Sequence, residues 1–188
     1  MLHKGNYLVC GMPRSGKGML MRGLAERYKQ IGVPVLYWTS KEAELLGVRD
    51  MVHYVSMDAN AFFEFADRVR NDRPCIIMID EAMDFQQSNP NELRQMLNQW
   101  PAYGVETFVI VQRAKMVPPN VRNACNNCIS FKQRPDDAQI LADSYGDEFL
   151  QTATDAMGQG CFICREGIYA APEFGKSWEV HGGVFRRV

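Results

Sequence analysis

The amino-acid sequence predicts an α/β fold in which a central, mostly parallel β-sheet is flanked by helices. Short continuous apolar runs, such as CIIMI and FVIV, alternate with longer segments whose apolar residues recur at helical spacing. A glycine-rich loop, GMPRSGKG, joins the first apolar run to the first helical segment, and polar or acidic residues directly follow two later runs. Strands that alternate with helices usually pair in parallel, so these residues should meet at the edge where the strands end.

The amino-terminal half is predicted to contain three strands and two helices. Residues 6–10 form a short buried strand, and residues 16–30 form the helix after the glycine-rich loop. Residues 33–39 are a second strand and residues 51–55 a short third one. Asp58 has the side chain of a helix N-cap, and the helix that it begins runs through residue 71 with one apolar face.

The carboxyl-terminal half continues the alternation and ends in a hairpin. Asn89 and Pro90 supply the cap and first turn of a helix that Pro101 stops. Another helix opens at the Pro-Asp-Asp sequence from residue 135 and ends near Gly146. The predicted strands are residues 74–79, 107–111 and 128–132, followed by the hairpin over residues 161–170.

Length and charge limit the classes of protein that the chain can represent. At 188 residues it suits one domain, which we place at residues 1–170, with a C-terminal arm of unknown role at 171–188. Its hydrophobic content of 46% and charged content of 23% are ordinary for a globular protein. The net charge of −1 argues against a surface that coats nucleic acid, so any DNA contact must be local. No apolar run is long enough to cross a bilayer, and the cytoplasm is the expected compartment.

Two C-x-x-C pairs, CNNC and CFIC, raise the alternative of a zinc site. Residues three apart on a strand point to opposite faces, so Cys161 and Cys164 should not bind one metal together. The segment between the two pairs is also longer than a compact zinc ribbon usually has. The sequence therefore favours reduced, mostly buried thiols over zinc.

The loop GMPRSGKG, residues 11–18, fits the phosphate-binding pattern G-x-x-x-x-G-K-[ST] at every required position except the last. Its glycines allow backbone amides to curl around phosphate oxygens, its lysine reaches the β- and γ-phosphates, and the helix adds its positive dipole end. The alternative is a glycine-rich turn that only connects strand to helix. The predicted nucleotide-binding residues are Gly11, Pro13, Arg14, Ser15, Gly16, Lys17, Gly18 and Met19.

Three polar residues at strand ends are predicted to act with this loop. Asp80 follows the run CIIMI and is predicted to bind magnesium, directly or through water, while the adjacent Glu81 polarises an attacking water. Gln112 ends the run FVIV and would sense the γ-phosphate or hold the same water. Taken alone, each position is also explained as a solvated strand end or an ordinary loop residue. Their pairing with Lys17 favours one catalytic set.

Three segments together resemble the HerA/FtsK superfamily of P-loop ATPases, especially the small genome-packaging ATPases of membrane-containing icosahedral viruses. They are GMPRSGKG, IIMIDEA and VIVQRAKMVPPNVRNACNNCISFKQRPDDAQILADSYGD. The similarity covers about residues 5 to 165. The glutamine at the strand tip and the V-P-P-N-V-R-N and I-S-F sequences are its more discriminating features, because many P-loop ATPases share the other two motifs.

The resemblance implies a RecA-like P-loop NTPase core that binds ATP and Mg²⁺ and hydrolyses ATP between subunits. It further implies a homo-oligomeric ring, a hexamer or pentamer, that packages viral double-stranded DNA into a preformed capsid and docks on capsid vertex proteins. Such a motor would work in the host cytoplasm or on the virion, without a membrane span of its own. An arginine from the neighbouring subunit would complete the catalytic set, with Arg122 the first candidate and Arg113 and Arg134 behind it.

Gly18 departs from the family pattern, because a serine or threonine hydroxyl normally ligates magnesium at that position. We expect hydrolysis to persist, with magnesium keeping an extra water. Three other functions remain open at this stage. They are a filamentous-phage-type assembly or extrusion ATPase, a P-loop small-molecule kinase, and a nucleotide-binding assembly protein with little hydrolysis.

Overall fold

The structure is a computed structural model that describes residues 5–155, 157–166 and 173–177. The strands are β1 Tyr7–Cys10, β2 Val35–Trp38, β3 Tyr54–Ser56, β4 Ile76–Asp80, β5 Glu106–Val111, β6 Asn127–Ser130, β7 Cys161–Glu166 and β8 Glu173–Lys176. The α-helices are α1 Lys17–Gln30, α2 Glu42–Val48, α3 Ala59–Asp72, α4 Ala82–Ser88, α5 Pro90–Asn98, α6 Pro119–Ala124 and α7 Pro135–Tyr145.

All these strands belong to one sheet, in the order β3-β2-β4-β5-β1-β6-β7-β8. The first six in this order pair in parallel, and β7 and β8 add to them antiparallel. Strand β1 lies between β5 and β6, with Tyr7 in register with both Phe108 and Asn127. The predicted α/β fold with a mostly parallel sheet is confirmed.

Helices cover both faces of the sheet, because alternate side chains of its buried strands point to opposite sides. On β1, Leu8 and Cys10 belong to a core that includes residues of α3, α4, α5, α6 and α7. Tyr7 and Val9 belong to the other core, which α1 and α2 complete. Continuous apolar strands are therefore buried on both sides, as the sequence indicates for the runs CIIMI and FVIV.

Local capping accounts for where two of the predicted helices begin. The Asp58 carboxylate accepts hydrogen bonds from the backbone amides of Asn60, at 2.9 Å, and Ala61, at 3.0 Å, which satisfies two free amides of α3. Pro90 lies in the first turn of α5, where its missing amide costs no helical hydrogen bond. Both starts agree with the sequence prediction, but the Asn89 side chain makes no capping hydrogen bond to α5 and donates to Asn60 instead.

Several elements differ from the prediction or extend it. Helices α2, α4 and α6 were not predicted, since each has only six or seven residues and too few turns for a clear apolar period. The first six residues of the hairpin predicted over residues 161–170 form strand β7. Residues 167–170 of that hairpin lie outside the described residues. Of the predicted arm, residues 173–176 form the edge strand β8, while its role and boundary stay predictions.

The cysteines agree with the expectation of buried thiols. All six are free, and only Cys161 is partly exposed. Burial raises the pKa of the Cys75 thiol to about 11, so this side chain stays protonated and apolar in character at neutral pH.

The core under α3 should be sensitive to loss of volume. Phe62 is fully buried and meets Phe85 edge-on at 6.2 Å between ring centroids. We expect Phe62→Ala to lower the free energy of unfolding by about 3–5 kcal/mol, measured by urea denaturation. Leu46→Ala is the control, because Leu46 is 65% exposed on α2 and its loss should change stability by no more than about 0.5 kcal/mol. Equal effects of the two substitutions would contradict this packing.

Candidate active site

The phosphate loop, residues 11–18, joins the end of β1 to the start of α1 at the carboxyl edge of the sheet. Its backbone is tied to two neighbouring segments: Met12 N donates to Lys132 O at 3.0 Å, and Gly160 N donates to Ser15 O at 2.9 Å. A third bond, from Ser15 N to Met12 O at 3.2 Å, closes the turn. The loop is therefore held in shape by the protein rather than left free.

Two glycines are required by this close packing. A Cβ atom on Gly11 would lie 2.6 Å from Cβ of Phe131, and one on Gly16 would lie 2.8 Å from Cα of Gly160. Gly16 also has a φ of +112°, a conformation that side chains with a Cβ rarely adopt. The glycines of the sequence pattern thus meet a steric need in this chain, which supports the loop over a mere connecting turn.

Lys17 lies in the first turn of α1 and folds back over the loop. Its ammonium group donates to the carbonyl oxygens of Gly11 and, at 3.0 Å, of Met12. Burial lowers the pKa of Lys17, while the charges of Asp80 and Glu81 act in the opposite direction. These loop carbonyls are weaker partners than a carboxylate, so the lysine keeps its charge available for an anion.

Asp80 ends β4 beside the tip of β2. The fully buried hydroxyl of Thr39 donates to an Asp80 carboxylate oxygen at 3.5 Å and accepts from the backbone amide of Lys41 at 3.1 Å. Burial, followed by the negative charge of Glu81, raises the pKa of Asp80 to about 6. A carboxylate kept under this penalty favours a cation that neutralises it, as a magnesium ligand requires.

Glu81, Gln112 and Lys41 meet at a single carboxylate oxygen. Gln112 donates its side-chain amide to Oε1 of Glu81 at 2.7 Å, and the Lys41 ammonium contacts the same oxygen. Burial alone lowers the pKa of Lys41, but the hydrogen bond and charge of Glu81 outweigh it and raise that pKa. Glu81 itself has a φ of +54°, a left-handed backbone conformation of the kind that is concentrated at functional sites.

The structure thus brings together the sequence-predicted residues at the ends of β1, β4 and β5. We call Lys17, Asp80, Glu81 and Gln112 the strand-tip set. All four lie at the same edge because the three strands are parallel neighbours, in the order β4-β5-β1.

The predicted arginine finger is not brought to this set. Arg122 donates to the carbonyl oxygen of Val117 at 2.7 Å and contacts that of Ala114, both in the loop after β5. Arg113 is also engaged, since it donates to the buried carboxylate of Asp137 at 2.9 Å and pairs with Asp136. Lys115, the other basic residue next to Gln112, pairs with Asp136 as well.

The residues present fit a bound nucleoside triphosphate. The Ser15 hydroxyl is buried and has no hydrogen-bond partner among the described residues, and it lies inside the loop that the phosphates would occupy. Lys17 makes no ion pair within that part of the chain. Asp80 fits a magnesium ion that takes most of its ligands from phosphate and water, a mode that needs only one or two protein oxygens. The described residues contain no cluster of three or more metal-binding side chains.

Sequence reasoning missed Thr39 and Lys41. Thr39 directly follows the buried strand β2, which is the same signal that identified Asp80 and Gln112, and Lys41 lies two residues further on. That β2 lies beside β4 was not predictable from its place in the chain, and this neighbourhood is what brings Thr39 to Asp80 and Lys41 to Glu81.

The raised pKa of Asp80 predicts a pH-dependent cost to stability. The unfolded carboxyl titrates near its ordinary value and the folded one near 6, so between these values the folded state binds more protons and stability falls as pH rises. Asp80→Asn should therefore raise the free energy of unfolding at pH 8 by about 2–3 kcal/mol, with the gain disappearing near pH 4. Urea denaturation across this range tests it, with the exposed Asp143→Asn as control. If the wild type and Asp80→Asn had equal free energies of unfolding at pH 8, the cost of burying the Asp80 charge would be refuted.

Solved structures with the same fold include packaging ATPases of two archaeal viruses. The chain is 17% identical to the DNA-packaging ATPase B204 from Sulfolobus turreted icosahedral virus, with a TM-score of 0.75 over 94% of this chain and 98% of that one. It is 15% identical to the genome packaging NTPase B204 from Sulfolobus turreted icosahedral virus 2, in complex with AMPPCP, with a TM-score of 0.78 over 94% and 99% of the chains. At the level of the fold, the expected resemblance is confirmed.

A third similar structure is the conjugation coupling protein TcpA of pCW3, in its monomer form with ATPγS. It is 14% identical, with a TM-score of 0.73 over 92% of this chain and 60% of that one. No curated protein sequence matches the chain. Among the described residues, no helix has the length and apolar character needed to cross a membrane.

The chain also matches a sequence model of a protein family. The match spans residues 7–133, from the first residue of β1 to just beyond β6, and therefore includes the phosphate loop and the whole strand-tip set. The chain accordingly belongs to the ATPase family associated with various cellular activities (AAA).

Proposed function

We propose that this ATPase couples hydrolysis at the strand-tip set to the movement of double-stranded DNA, and that its copies work as a ring. The observation that carries the catalytic part is the 2.7 Å hydrogen bond between Gln112 and Glu81. It joins a group able to sense the γ-phosphate to a carboxylate able to orient water, at the edge where the phosphate loop lies.

Each member of the set has a separate role in this proposal. The loop amides and Lys17 hold the β- and γ-phosphates, and Asp80 holds the magnesium ion directly or through water. Magnesium, when bound, supplies Lewis-acid stabilisation of the charge on the phosphate oxygens. Glu81 orients and polarises the attacking water, and Gln112 fixes the position of the Glu81 carboxylate.

Glu81 and Gln112 also favour hydrolysis over the alternative of a small-molecule kinase. In a kinase the acceptor hydroxyl takes the place of water, and the acceptor needs a pocket with an arginine-bearing lid. Here the Gln112 amide donates to the Glu81 carboxylate at the ends of the neighbouring strands β5 and β4, which suits a water-sized nucleophile. A nucleotide-binding assembly protein with little hydrolysis would have no need for this pair.

Completion of the site by a neighbouring subunit remains part of the proposal. Arg122, the first candidate for the finger, would have to leave the carbonyl of Val117 to act in another subunit. Arg113 would have to leave Asp137. Arg134 is exposed at the start of α7, and its side chain makes no hydrogen bond or ion pair among the described residues, so it can reach a partner without breaking a contact.

DNA movement and genome packaging are inferred from the similar structures. Two of them are named as packaging enzymes of viruses and a third as a conjugation coupling protein. We propose the packaging of viral double-stranded DNA into a preformed capsid, in the host cytoplasm or on the virion, with docking on capsid vertex proteins. A hexamer or pentamer would gather a few basic side chains from each subunit around the DNA, which suits a chain with a net charge of −1.

Two substitutions separate binding from chemistry. Glu81→Gln should lower ATP turnover by about 10²–10⁴-fold while leaving nucleotide binding in place, because the carboxylate acts only on the attacking water. Lys17→Ala should lower both turnover and nucleotide affinity. Matched controls are Glu64→Gln, exposed on α3, and Lys29→Ala at the far end of α1. Turnover near the wild-type rate in either active-site variant would exclude the assignment.

The ring and its DNA substrate are tested by one titration. We expect the ATPase rate per subunit to rise cooperatively with protein concentration and to rise further with long duplex DNA, because a neighbouring subunit completes each site. The stimulation by DNA should fall steeply between about 50 and 200 mM salt, since phosphate contacts release counterions. A rate per subunit that is independent of concentration and responds to small phosphate acceptors instead of duplex DNA would favour the kinase.

A further inference from the structure

Gly18 leaves an open position beside the phosphate loop. Among the residues that the structure describes, a Cβ atom built on Gly18 would have a single neighbour within 4 Å, the carboxylate oxygen Oε2 of Glu44, at 4.0 Å. The backbone of Gly18 does not adopt a left-handed conformation, so a serine would fit here without strain. Position 18 therefore lacks the hydroxyl of the usual pattern although the loop has room for a serine side chain.

Glu44 reaches this position from α2, the short helix after β2. Its Oε2 accepts a hydrogen bond from Arg22 of α1 at 2.9 Å, and the two side chains are 31% and 35% exposed. The second oxygen, Oε1, makes no hydrogen bond among the described residues. The negative charge of Glu44 also acts on Asp80, so the two carboxylates are near enough for their charges to interact.

Arg22 lies close against α2 as well as beside Glu44. Its guanidinium nitrogen would lie 2.8 Å from a Cβ atom on Gly47, one turn along the helix that carries Glu44. Partners of this kind, which hydrogen-bond a ligating carboxylate from behind, orient it and tune its affinity for a metal.

Thr39 is the other oxygen donor near Asp80, and its geometry gives it a different role. Its hydroxyl is fully buried, donates to Asp80 and accepts from the backbone amide of Lys41. The amide of Lys41 occupies one of the two acceptor lone pairs of this hydroxyl, and its burial makes it harder for a hydrated ion to reach than the partly exposed Glu44 carboxylate. Glu44 is partly exposed and keeps one oxygen free, so it can turn toward the open position at Gly18 without breaking a buried bond.

We propose that Glu44 supplies the magnesium-binding oxygen that the hydroxyl at position 18 supplies in other phosphate loops. This inference rests on the proposed function, since the magnesium is the one that accompanies ATP at this site. The consequence is a metal site divided between β4, which provides Asp80, and α2, which provides Glu44. Loss of the hydroxyl from the loop then does not entail loss of catalysis.

The test measures metal affinity directly, with Mn²⁺ as a paramagnetic probe and a non-hydrolysable ATP analogue bound to the protein. Glu44→Gln should weaken Mn²⁺ binding by about tenfold or more, while binding of the analogue in EDTA stays equal or becomes tighter, because a negative charge near the phosphates is removed. Glu42→Gln, on the exposed part of the same helix, is the control and should leave both affinities within about twofold.

A second variant separates a ligand from a merely structural acid. Adding Gly18→Ser to Glu44→Gln should restore Mn²⁺ affinity close to that of the wild type, since the new hydroxyl takes over the ligating position. A structural role through Arg22 would not be rescued in this way. Unchanged Mn²⁺ affinity in Glu44→Gln, or a loss that serine does not restore, overturns the proposal. If the wild-type protein fails to bind the analogue even in EDTA, it is the proposed function that fails.

Discussion

The structure of the site depends on how closely the backbone of the phosphate loop approaches its neighbours. Gly11 lies against Phe131 and Gly16 against Gly160, at separations that no Cβ atom tolerates. These contacts fix the shape of the turn, which ends at Lys17 in the first turn of α1. Because Phe131 follows β6 and Gly160 precedes β7, the loop is fixed by the half of the sheet that carries none of the acids.

The acids lie on the other side of β1, and their placement has a thermodynamic cost. Asp80 is mostly buried beside Glu81, which is why its pKa rises to about 6. Thr39 and Lys41, both after β2, offset part of this cost by a hydrogen bond and an ion pair. A site that keeps two carboxylates close together without a cation stores electrostatic repulsion, and the arrival of a cation with the triphosphate relieves it.

The sequence alone predicted those parts of the site that depend on residues close together in the chain. The phosphate loop has fixed spacing, and Asp80, Glu81 and Gln112 each directly follow a continuous apolar run, so their strand-end positions could be predicted. The order of the strands in the sheet could not be predicted, because it depends on which strands, far apart in the chain, pack best against each other. The contact between Gln112 and Glu81 requires β4 and β5 to be neighbours, and the contacts of Arg113 with Asp137 and of Glu44 with Arg22 require whole helices to be in place.

The ion pair between Lys41 and Glu81 would couple ATP binding to catalysis at the proposed site. A carboxylate oxygen that already accepts bonds from Lys41 and Gln112 has little capacity left for a water molecule. Lys41 is half exposed and carries a flexible side chain, so a γ-phosphate near Lys17 offers it an alternative anion. Movement of Lys41 to that anion would free Glu81 while Gln112 keeps it in position. Binding of ATP would then make a further acceptor site on Glu81 available to the attacking water.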